Sequence, residues 1–180
     1  MGQQVSTTID RNSQIQTSIE SFIQNVLEDN HKCGNLDDDM VVEYIQGQIK
    51  TILKKTPHNQ LSIFQKQIHP ERLSKNIHME DLIEYYTNKV IAIASVYNTR
   101  ELLVDELNKI LDNEPSKMNK IVTKIHELDE MAKILVEEVI HTTYIADGRV
   151  RKRKYYRERP VSSKQLDKII LKLDSFENNL

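Results

Sequence analysis

Tryptophan is absent from this chain, cysteine occurs once, and glycine and proline occur four times each among 180 residues. Each scarcity excludes something. The single Cys33 has no second cysteine to pair with, so an intramolecular disulfide is excluded and a reducing compartment is the expected setting. With so few glycines and prolines the chain lacks most of the turn chemistry of a sheet protein, which favours long helices. Aromatic residues make up 6% of the chain, so the core must be aliphatic and packed between helices. No window approaches the ~18 to 20 consecutive apolar residues of a membrane-spanning helix, and no apolar stretch with a cleavage site marks a secretory signal. A Gly-rich phosphate loop, a Gly-x-Ser-x-Gly nucleophile turn and paired-cysteine motifs are all missing. The sequence therefore points to no reaction and no cofactor, and it reads as a non-enzymatic protein.

Aliphatic periodicity is what the chain does have. Met118, Ile121, Ile125, Leu128, Ala132, Leu135 and Val139 recur at alternating steps of three and four, which predicts a long helix near 117–143 with one apolar seam. Ile134, Val136 and Ile140 widen that face, as suits the central helix of a bundle. Further amphipathic helices are expected over 10–29 (Ile15, Ile19, Phe22, Ile23, Val26), after the acidic start at 35–39, from His78 onward, and after Pro160. Asn98 with Glu101, and Ser162 with Gln165, have the spacing of capping boxes, so a helix starts or kinks at the first and starts at the second. The expected fold is all-α, a bundle of about five to seven helices. Its parts are an N-terminal tether over 1–12, the bundle over 13–147, a basic connector over 148–161 and a C-terminal helix over 162–180.

Charge is unevenly spread. Residues 1–148 hold 15 basic against 23 acidic side chains, a net of −8, whereas residues 149–180 hold 10 against 4, a net of +6. The connector concentrates this excess in Arg149, Arg151, Lys152, Arg153, Lys154, Arg157 and Arg159, with Tyr155 and Tyr156 among them. Such a run suits anionic lipid headgroups, where tyrosines sit well at the interface. It also suits nucleic-acid phosphates with the tyrosines stacking on bases, or an acidic protein face. A solvated charged loop is the plainest use of such a run.

The chain opens Met-Gly-Gln-Gln-Val-Ser, a pattern for N-myristoylation at Gly2 with Ser6 at the favoured position. A myristoyl chain contributes ~0.8 kcal/mol per buried CH₂ and anchors only marginally, so a second signal is required. The basic run can supply it. Metal readings fare worse. His31 and Cys33 have no companion ligands, Glu138-x-x-His141 has no second copy, and the motif beginning His126-Glu127 carries Glu130 where a second histidine must stand.

Rich in Asn, Ile and Lys and with an acylatable Gly2, the chain resembles in composition the myristoylated virion proteins of large DNA viruses. That resemblance implies a structural role between a membrane and a capsid, and a place in the virion interior. The expectation is a structural or scaffolding protein on the cytoplasmic face of a membrane, touching an anionic bilayer and a protein partner or a second copy of itself. The competing expectation is a soluble helical adaptor that binds nucleic acid or an acidic protein through residues 149–159.

Overall fold

The computed structural model describes residues 5–6, 18–28, 39–73, 76–110 and 113–178. In order, the elements are β1 (Val5–Ser6), α1 (Ser18–Glu28), α2 (Asp39–Lys54), α3 (His58–Ile68), α4 (Met79–Lys109), α5 (Pro115–Leu135), β2 (Val136–Tyr144), β3 (Val150–Glu158) and α6 (Ser163–Asn178). The chain is mostly helical, and a small antiparallel sheet is added to the helices.

The organising helix is α4, not the segment near 117–143. Its 31 residues span roughly 46 Å at ~1.5 Å per residue. From Leu82 to Val96 it is buried on more than one side: Leu82, Tyr86, Val90 and Ile93 form one stripe, and Tyr85, Lys89, Ala92 and Val96 another. A helix apolar round most of its circumference belongs inside. Helix α4 packs against each of the other five helices. It also runs unbroken through Asn98 and Glu101, because buried Thr99 and Leu103 carry its stripe onward and leave no reason for a new start. Ile45, Ile49 and Leu53 of α2 and Leu166, Ile169 and Leu173 of α6 close the core around it.

Helix α5 covers one side with a narrower stripe than its sequence suggests. Ile121, Leu128, Met131 and Leu135 are buried, while Met118, Ile125 and Ala132 are half-buried. The helix then stops at Leu135, eight residues before its expected end. Val136 takes an extended conformation (φ −142°, ψ 151°), and Val136, Val139, Ile140, Thr142, Thr143 and Tyr144 are β-branched or aromatic residues that favour a pleated strand. Val139, the last residue of the expected seam, therefore stands on β2.

The expected connector is likewise a strand. β3 pairs with β2 over its whole length, from Val136 opposite Glu158 to Tyr144 opposite Val150. A five-residue loop, 145–149, joins them, closed by hydrogen bonds from Ile145 N to Arg149 O and from Gly148 N to Ile145 O, both 3.0 Å. Gly148 has φ +84°, a conformation that any side chain would strain. On the other edge of β2, Val5 lies opposite Tyr144 and Ser6 opposite Thr143, giving the order β1-β2-β3.

At the C-terminal side the capping box forms as its spacing predicts. Gln165 N donates to Ser162 Oγ at 3.2 Å and Ser162 N donates to Gln165 Oε1 at 3.1 Å. Of the helix expected over 10–29, residues 18–28 form α1, and the rest, Ile15 included, lies outside the described residues. Gly2, most of the expected tether, His31 and Cys33 lie outside the described residues. No helix among those described is long and apolar enough to cross a membrane.

Candidate functional site

Side chains alternate across a strand, so the basic run divides between two faces of the hairpin. Arg151, Arg153, Tyr155 and Arg157 share the outer face with His141 and Val139 of β2. Lys152, Lys154, Tyr156 and Glu158 share the inner face with Glu138 and Ile140. The two tyrosines, adjacent in sequence, have separate surroundings. Tyr156 meets Tyr97 of α4 edge-on at 5.6 Å, whereas Tyr155 meets His141 edge-on at 5.9 Å with the Arg153 guanidinium 5.4 Å from its ring.

The cations differ in their freedom. Lys154 bonds Glu138 at 3.1 Å, and this hydrogen bond holds its ammonium above the usual lysine pKa. The other Glu138 oxygen accepts from the Tyr97 hydroxyl, also at 3.1 Å. Arg149 pairs with Asp147 at 2.5 Å across the turn, which pulls that carboxyl below its ordinary pKa. Arg151 and Arg157 make no ion pair with any described residue. From Tyr144 to Lys154 every residue is exposed, and five of these carry positive charge against the single Asp147.

The base of the hairpin is fastened to the bundle by side chains that the sequence does not advertise. Gln24 of α1 is buried and lies along the outer edge of β3. Its Oε1 accepts from Tyr156 N at 2.9 Å and its Nε2 donates to Lys154 O at 3.4 Å, so one amide side chain takes the place of a neighbouring strand. Where β3 ends, Lys89 of α4 donates to Arg159 O at 2.6 Å and stands 3.6 Å from the Glu158 carboxylate. The Tyr85 hydroxyl donates to Val161 O, and Arg159 N donates to Leu135 O at 3.0 Å. Arg159 thus serves the fold through its backbone, with its side chain exposed.

Comparison with protein families, curated proteins and solved structures finds no match to this chain. Function is therefore argued from the hairpin itself. A polar cleft between the inner face of the hairpin, α4 and α5 contains Arg100, Asp129, Glu138 and Lys154. Those charges already pair, Arg100 with Asp129 at 2.6 Å and Lys154 with Glu138, so nothing in that group recruits a charged ligand. Glu138 and His141 point from opposite faces of β2, so the Glu-x-x-His spacing does not bring them together. The sequence singled out the basic residues but not Gln24, Lys89, Tyr97 or Glu158. Their signals are weak: Gln24 reads as one polar position on an amphipathic helix, and Lys89 as an ordinary solvated lysine.

Proposed function

We propose that this chain is a non-enzymatic structural protein attached peripherally to a membrane through an acyl group on Gly2 and the cationic β2–β3 hairpin. The pairing of Val5 with Tyr144 supports this reading most. It places the N-terminal segment on the hairpin at the end where the strands turn. Two residues, Gln3 and Gln4, separate Gly2 from Val5, so the three-step span reaches at most ~11 Å. A lipid at Gly2 and the cations at 149–153 would then meet the same bilayer surface, which is the arrangement a marginal single anchor requires. The helical bundle beyond is free to engage a protein partner or a second copy, as a scaffold between membrane and capsid would.

Flotation with anionic vesicles tests the proposal, using the full chain co-expressed with an N-myristoyltransferase. The acylated protein is expected to gain roughly 210 Da with loss of Met1 and to float. Gly2→Ala and the pair Arg151→Glu with Arg153→Glu should each lose most of that binding, and together abolish it. If Gly2→Ala floats like the parent chain, the dual attachment is wrong. Salt-sensitive binding of an oligonucleotide, unchanged by Gly2→Ala and with no vesicle binding, would favour the adaptor reading instead.

A further inference from the structure

We infer that the hairpin tip penetrates the bilayer: Tyr144, Ile145 and Val150 enter the interface while Arg151, Lys152 and Arg153 bind lipid phosphates behind them. This rests on the membrane reading above. Isolated exposed apolar side chains are ordinary on protein surfaces; here they are grouped. Tyr144 is 46% exposed, Ile145 37% and Val150 49%, all around one turn, with Tyr144 directly opposite Val150.

The spacing matches a bilayer surface. Behind the Tyr144–Val150 rung come Thr143 with Arg151, Thr142 with Lys152, and His141 with Arg153. At ~3.3 Å per rung these cations lie roughly 3 to 10 Å behind the apolar end. The headgroup layer is about 5 to 8 Å deep on each side of a bilayer, so an apolar end at the acyl boundary leaves the cations level with the phosphates. Guanidinium groups at that depth bind phosphate in bidentate fashion. The one acidic side chain at the tip, Asp147, is matched by Arg149 at 2.5 Å. A nucleic acid would use the same cations and can stack a base on Tyr144, but it gives the aliphatic Ile145 and Val150 beside that ring nothing to pack on.

The absence of tryptophan gives a clean optical test. Full-length Ile145→Trp, acylated at Gly2, is mixed with phosphatidylcholine vesicles containing about 30 mol% phosphatidylserine. Its fluorescence is expected to shift to shorter wavelength and to be quenched by lipids brominated on the acyl chain. Leu73→Trp, at a 96% exposed position on the loop before α4, should do neither. Ile145→Asp with Val150→Asp should weaken vesicle affinity roughly tenfold or more while leaving the helical circular dichroism intact. Vesicle binding with an unquenched indole in Ile145→Trp overturns the insertion yet leaves the peripheral attachment standing. Oligonucleotide binding without vesicle binding overturns both.

Discussion

Lys89 and Glu158 are the least expected pair in the molecule, with side chains 1% and 12% exposed. Two charges withdrawn from water cost several kcal/mol each before their attraction offsets it. Burial is accordingly the largest influence on both, pushing Glu158 up and Lys89 down, and each restrains the other's shift. The Tyr86 hydroxyl, Glu20 on α1 and Tyr85 on α4 stand around the same pair and act on it electrostatically. Removing one partner strands the other, so Lys89→Met should lose about 3 to 5 kcal/mol in urea unfolding. Lys89→Met combined with Glu158→Leu should recover most of it. The pH dependence follows from the raised Glu158 pKa. The folded state holds its proton more tightly than the unfolded chain, whose value is 4.5, so this contribution is complete below 4.5 and lost as pH rises through the raised folded value. Relative to Glu158→Gln, the parent chain should therefore lose stability across that window, measured as paired urea midpoints. Nothing local in the sequence marks this pair, because the contact joins residues 69 positions apart through a strand that reads as a connector.

Among the elements, the hairpin shows where sequence periodicity misleads. Leu135 and Val139 are four apart, so a helical seam appears to run through the junction, and the period-two pattern of β2 is blurred by mixed Val, Glu, Ile and Thr. In β3 five basic residues fall on both faces, which hides the alternation that would identify a strand. The β-branched run over 136–143 and the Asp147-Gly148 step were the available signals. The helices were legible for the opposite reason: their buried aliphatic residues recur at helical spacing, on one face of most helices and on two of α4, and the Ser162–Gln165 box is wholly local. The clamp by Gln24 belongs to this scale, since it secures a strand edge that is otherwise open at Lys154 and Tyr156. Gln24→Ala should cost about 1 kcal/mol by removing the partner of Tyr156 N and Lys154 O. Its sharper signature is hydrogen exchange: the Tyr156 amide should lose protection while the α4 amides keep theirs. Equal protection of Tyr156 in both proteins would mean that the clamp does not hold the edge.

For the whole molecule the question is how an acidic body and a basic hairpin behave before a charged surface. Of the ten basic residues after position 148, five lie between 149 and 154, on the part of the hairpin where every residue is exposed. An anionic bilayer attracts that end and repels the body with its net −8, so the molecule should arrive hairpin first. The sequence made this separation of charge visible but not its direction, which comes from β1 and β3 flanking β2 and setting the N-terminal segment beside the turn. Salt separates the two proposed attachments. Raising ionic strength from ~0.1 to ~1 M shortens the Debye length from ~10 to ~3 Å, which removes most of the attraction of exposed cations and leaves a buried acyl chain in place. In vesicle sedimentation the Gly2→Ala protein should therefore be released as salt rises. The acylated Arg151→Glu, Arg153→Glu protein should bind weakly at every salt concentration, and the acylated parent should fall only to that residual level. A Gly2→Ala protein retained equally at both salt concentrations would show that its contact with the bilayer is not electrostatic.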